Sequence, residues 1–137
     1  QDKYLAKLSG PLIDRIDLHL EVPQVPRKQL MDAPRGTGSA ELRGRVMKAR
    51  ERQHARRHKN NKPNSTLTGR ELDEFAPMAP EAKELLAQAM TELGLSARAY
   101  DKVRRVSRTI ADLDRQDQIG VEAVAEAIQY RVLDRGN

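Results

Sequence analysis

The sequence contains no cysteine, which excludes a disulfide framework and any cysteine-ligated zinc site. Tryptophan is also absent, and the aromatics amount to one phenylalanine and three tyrosines. A core must therefore be built from Leu, Ile, Val, Ala and Met, a palette that suits helices packed on helices. No apolar run approaches the roughly 20 residues needed to span a bilayer, so no membrane partner is expected. The opening stretch, "QDKYLAKLSG", has neither an initiator methionine nor the shape of a signal peptide. The expectation is a soluble cytoplasmic segment cut from something longer. Its 137 residues are one domain's length and long enough to bury a core.

What the sequence has is positive charge, unevenly spread. The formal net charge is +5, yet residues 43–62, "RGRVMKARERQHARRHKNNK", hold nine Lys or Arg and one acid, a local balance of +8. The remainder carries −3. Attraction to a polyanion belongs to that one stretch.

Hydrophobic period then marks the elements. Ile16, Leu18, Leu20 and Val22 alternate with Asp17, His19 and Glu21, the two-residue period of a half-buried strand over 16–22. A lone strand is not stable, and no second segment matches it. Residues 3–8 read as the end of a helix closed by Ser9-Gly10, with a short turn opened by Pro11. Pro23 and Pro26 end the strand. Residues 24–38 read as a Pro- and Gly-rich linker with a helical turn around Lys28–Met31. A long helix runs from Ser39 to about Lys59. Its apolar face, Leu42, Val46 and Ala49, covers only the first turns, so the second half is expected to project into solvent or fray. "TGRE" at 68–71 is a capping-box pattern. Pro80 opens the next helix and Gly94 stops it. Ser96 caps a helix striped with Tyr100, Val103, Val106, Ile110 and Leu113. A last helix over about 120–134 carries Val121, Val124, Ala125, Ile128 and Val132. The fold class expected is mainly α: a small helical bundle preceded by one strand of a missing α/β core.

Three stretches, "SGPLIDRIDLHLEVP" (9–23), "LSARAYDKVRRVSRTIADL" (95–113) and "VAEAIQYRVLD" (124–134), together resemble the C-terminal part of magnesium-chelatase-like AAA+ ATPases of the ComM/YifB type, a bacterial group associated with DNA branch migration. The resemblance implies that residues 1–23 are the end of the AAA+ nucleotide-binding core, 24–38 a linker, and 39–137 the helical lid. It implies ATP and Mg2+ as cofactors of a longer parent, a homo-oligomeric ring (a hexamer) of neighbouring subunits, and DNA as a partner. The phosphate-loop pattern GxxxxGK[ST] starts at none of the eight glycines. An acidic magnesium-binding strand end is not visible either. This segment alone is therefore expected neither to hydrolyse ATP nor to bind it tightly.

The same resemblance assigns single residues. Arg15 matches an arginine finger that reaches in trans to the γ-phosphate bound by a neighbouring subunit; a guanidinium stays charged and stabilises transferring phosphoryl oxygens. Ile16 stands where that family commonly has Phe. The alternative is an Arg15 that pairs with Asp14 or Asp17 at a strand edge. Arg98 matches the sensor 2 position, in the first turn of the helix capped by Ser96, where anions are already favoured. Its alternative is a surface pair with Asp101. By spacing alone, Lys102, Arg104, Arg105 and Arg108 continue the polar side of that helix; a solvated face is expected, with a phosphate-lined or interface role as the alternative.

Arg50, Arg52, Arg56, Arg57 and Lys59 form a basic arm able to track a nucleic-acid backbone. No aromatic interleaves them for base stacking. An independent nucleic-acid-binding helical module is thus one alternative function. The lid of a true magnesium-chelatase subunit is the other. His54 and His58 have metal-capable spacing but lack a third ligand, and no metal site is expected.

Overall fold

The computed structural model describes residues 10–32, 36–56 and 62–131; the helix end expected at 3–8 lies outside them. Among the described residues there are seven α-helices: α1 Gly10–Arg15, α2 Arg27–Asp32, α3 Ser39–Arg56, α4 Gly69–Phe75, α5 Pro80–Leu93, α6 Ala97–Leu113 and α7 Val121–Gln129. A 3-10 turn at Asn64–Thr66 leads into α4. The class is mainly α, as the composition implies.

Local chemistry sets the helix ends. The Thr68 hydroxyl accepts from the Glu71 N–H at 3.2 Å, and the Glu71 carboxylate accepts from the Thr68 N–H at 3.2 Å, a reciprocal box that satisfies two free donors of α4. Pro80 occupies the first turn of α5, where its missing N–H costs nothing. Gly94 closes α5 at φ 62°, in the left-handed region that glycine enters without a Cβ penalty. The Ser96 hydroxyl accepts from the Ala99 N–H at 3.0 Å and starts α6.

Helix α6 is the central element. It packs on α7 and carries α3 and α4 on its other sides, while α5 lies against α7. Leu67, Leu72, Leu86, Val103, Ile110, Ile119 and Val124 meet in one buried cluster, filled between by Ala76, Ala82, Ala111 and Ala127. The small residues let backbones approach closely, which compensates for the scarcity of aromatics. A parallel bridge between Met78 and Ile119 ties the entry of α5 to the entry of α7.

Four expectations need correction. Pro11 lies inside a complete short helix, α1, so Arg15 ends a helix instead of leading directly into a strand. The alternating segment at 16–22 makes, among the described residues, only one isolated parallel bridge, His19 with Arg131, whose rung is the His19 N–H donating to the Tyr130 carbonyl at 2.5 Å. A ladder needs a partner along its whole length, and residue 131 offers a single rung. Burial follows that rung and not the alternation: His19 is 3% exposed, whereas Leu18, Leu20 and Val22 are 47, 67 and 83% exposed. The second half of α3 does not project: Ala49 and Gln53 are buried, and the Gln53 side chain accepts from the Asn64 N–H at 3.1 Å. Finally, α7 ends at Gln129, and Val121 at its start is exposed; Val132 lies outside the described residues.

Candidate functional site

Arg15 is the last residue of α1, a position that favours a cation at the helix C-terminus. It is exposed, and among the described residues its side chain makes no hydrogen bond or ion pair. Neither neighbouring carboxylate takes it. Asp14 accepts from the Ser96 hydroxyl at 2.6 Å, and Asp17 pairs with the Lys102 ammonium. The segment carrying Arg15 is anchored instead through its neighbours. Ile13 is buried, and the Ile13 carbonyl accepts from the His19 imidazole at 3.0 Å. The buried Arg131 guanidinium donates to the Ile16 carbonyl and, at 3.4 Å, to the Asp14 carbonyl.

Arg98 stands in the first turn of α6, about half exposed, with its guanidinium 3.9 Å from Asp14 Oδ2. The alternative partner, Asp101, faces Arg104 at 3.5 Å. Asp14 therefore meets Ser96, Arg98 and Arg131 together, and the chain at Arg15 is held against the N-terminus of α6. Sequence spacing put Asp14 beside Arg15 only as a competing partner; its contact across 84 residues, from position 14 to position 98, has no local signal.

The remaining cations of α6 are not a solvated face. Arg104 is buried, donates to Asp73 of α4 at 2.6 Å and lies 5.1 Å from the Tyr100 ring centroid, a cation–π distance. The Arg105 Nε donates to the Leu67 carbonyl at 2.8 Å. Arg108 is fully buried and donates to the carbonyls of Gln116 at 2.6 Å and Asp117 at 2.8 Å. Each guanidinium fastens a different loop or helix to α6.

Arg108 also pairs at 3.1 Å with Asp112, a carboxylate without solvent exposure that the site reading from sequence missed. Asp112 accepts in addition from Asn64 Nδ2 at 2.8 Å and from Arg56. Burial lowers the Arg108 pKa below the ordinary arginine value; Asp112 opposes that, and Arg56 adds to it. The signal for this pair was present: Asp112 is four residues after Arg108, one helical turn along.

The basic arm divides accordingly. Arg50 is exposed and has no ion pair among the described residues. Arg52 donates to the exposed Asp117 at 2.6 Å, a surface pair, and Arg56 is held by the buried Asp112, so Arg56 is withdrawn from a free basic arm and Arg52 is paired at its surface. Arg57, Lys59 and His58 lie outside the described residues. Among the described residues no three His, Asp or Glu side chains converge on a metal position, and no helix is long and apolar enough to cross a membrane.

Comparison with known proteins adds the following. Residues 36–131 match the family described as magnesium chelatase, subunit ChlI C-terminal, and residues 1–30 match magnesium chelatase, subunit ChlI. The chain is 40% identical over 134 residues to the uncharacterized protein YifB of Salmonella typhimurium. It is 41% identical to the competence protein ComM of Haemophilus influenzae and 42% identical to YifB of Escherichia coli, over the same length. Each alignment covers 97% of this chain and 26% of the relative, so the chain spans about a quarter of the length of these relatives.

Proposed function

The chain belongs to the magnesium chelatase family through its ChlI C-terminal region, and on that footing we propose that it is the lid segment of a cytoplasmic AAA+ ATPase motor that couples ATP binding and hydrolysis in a ring to DNA remodelling. The observation that carries the proposal is the contact of Asp14 with Ser96 and Arg98. It joins the end of α1, with its unpaired Arg15, to the start of α6, with its half-exposed Arg98. Asp14 thus links the segments that carry two guanidiniums left available by the fold, and a guanidinium is suited to phosphate oxygens. Arg15 acts in trans on the γ-phosphate held by a neighbouring subunit, and Arg98 reports nucleotide from the lid. The similarity to a competence protein favours DNA as the macromolecule moved over a porphyrin as the substrate of a chelatase.

Among the described residues no three His, Asp or Glu side chains gather to hold magnesium. ATP and Mg2+ belong to the complete gene product. Contact with DNA is assigned to Arg50, Arg57 and Lys59; Arg56 is withdrawn from it because the buried Asp112 holds it, and Arg52 contributes less because it faces the exposed Asp117.

The test is steady-state ATP hydrolysis by the complete gene product. Arg15→Ala is expected to lower kcat by about 10³-fold, the range for loss of an arginine finger. Arg98→Ala is expected to raise KM for ATP. Arg15→Ala subunits mixed into native rings should depress turnover beyond their own fraction. ATP turnover by the 137-residue chain alone, or full activity in both variants, overturns the proposal.

A further inference from the structure

Asp14 has partners of unequal grip. The Ser96 hydroxyl donates to its Oδ1 at 2.6 Å. Arg131 approaches the same oxygen at 3.9 Å, is itself 1% exposed, and is fixed by the Ile16 and Asp14 carbonyls. Arg98 approaches Oδ2 at 3.9 Å from a side chain 53% exposed. That separation is an ion pair without a hydrogen bond, and exposed pairs of this kind weigh little. Arg98 is therefore the one partner that can leave without unfolding anything.

The groups gathered on Asp14 are also those that recognise phosphate. Guanidinium and hydroxyl are charge-assisted or neutral donors to an oxyanion, and a carboxylate is the protein's own small oxyanion. We propose that the Asp14 carboxylate is a placeholder for phosphate: it keeps Arg98 oriented while nucleotide is absent, and a nucleotide phosphate takes Arg98 from it. The proposal rests on Arg98 handling phosphate, as assigned above. When Arg98 leaves, Ser96 and Arg131 still hold Asp14, so α1 and Arg15 stay attached to α6. Asp14 is thus a positioning residue that sets nucleotide affinity through Arg98 and leaves the rate of the bound complex alone.

The experiment measures KM and kcat for ATP in the complete gene product. Asp14→Asn removes the competing charge and is expected to lower KM by about two- to fivefold, the weight of an exposed ion pair, with kcat unchanged. Asp14→Glu restores the native KM. In an Arg98→Gln background the Asp14→Asn effect disappears. Asp17→Asn removes an equal charge nearby, one that faces Lys102, and leaves KM as it was. Where the Asn variant does not fold, judged by circular dichroism, Asp14→Ser is neutral too and gives the same comparison. An unchanged or raised KM in Asp14→Asn, or an equal drop in the Arg98→Gln background or in Asp17→Asn, overturns the placeholder while leaving the assignment of Arg98 intact. If Arg98→Gln itself leaves KM unchanged, that assignment fails and the placeholder falls with it.

Discussion

Asp112→Asn keeps the shape of a side chain and removes one charge from a place without solvent exposure. Asp112 and Arg108 both have 0% side-chain exposure. The carboxylate accepts from Arg108, Arg56 and Asn64, so its removal leaves two guanidiniums facing each other. Burial already disfavours the charged form of Arg108, and Asp112 is the group that opposes it. The Arg108 Nε has no partner among the described residues to soften the loss. The introduced amide turns two donors toward a space lined with donors. Breaking one side of a buried pair costs about 3–5 kcal/mol. For a chain of this size each kcal/mol moves the midpoint by roughly 2–4 °C, so the melt should fall by about 6–20 °C. Arg56→Ala is milder, because Asp112 keeps Arg108 and Asn64 and Arg56 is 17% exposed; about 1–2 kcal/mol is expected. Adding Arg108→Met to Asp112→Asn removes both charges and should recover most of the stability. Urea unfolding followed by far-ultraviolet circular dichroism measures all three. A loss below about 1 kcal/mol in Asp112→Asn, or a double variant no better than the single, would refute the role given to the buried pair.

Three further outcomes follow from particular positions. Gly94→Ala places a Cβ at φ 62° and should cost about 1–2 kcal/mol, read from the same urea curves. The Tyr130 phenol is held above its ordinary value of 10.0 by burial first, then by its bond to the Glu126 carboxylate and that group's charge. The folded chain therefore keeps a proton that the unfolded chain releases earlier: this contribution is intact below the ordinary value and is lost as pH rises through the folded one. Glu126→Gln should bring the tyrosinate absorbance in earlier on an alkaline titration. For duplex DNA, Arg50→Ala should reduce the salt slope of binding by about one, whereas Arg52→Ala, whose cation already faces the exposed Asp117, should reduce it by less.

Much of the architecture is legible because it depends on neighbours in sequence. The Thr68–Glu71 box, Pro80 at a first turn, Gly94 at a left-handed cap and Ser96 at an N-cap are all decided within four residues. The same holds for the stripe that buries Val103 and Ile110. The segment at 16–22 misled because alternation reports only that one face suits burial, and a strand also needs a partner. Here the single bridge from His19 to Arg131 turned the imidazole inward and the leucines outward. The second half of α3 misled for the opposite reason. No large apolar residue recurs past Ala49, but Gln53 and Arg56 dock it through an amide and a carboxylate, and hydrophobic period is blind to polar docking.

The same distinction decides what a charge count means for function. Sequence locates +8 in residues 43–62, yet a cation's availability depends on which acid the fold brings to it. Asp112 and Asp117, from the acidic remainder of the chain, neutralise Arg56 and Arg52. Arg104, Arg108 and Arg131 are buried and tie helices and loops together. Arg15 emerges from that sorting with no partner among the described residues, and Arg98 with one it holds at 3.9 Å. A buried guanidinium tied to carboxylates and carbonyls cannot reach for a phosphate without breaking the fold, at a cost of several kcal/mol, roughly what a phosphate contact would return. An exposed one reorients at a cost of about 1 kcal/mol or less. Available cations, and not the total of basic residues, are therefore what the proposed nucleotide role rests on.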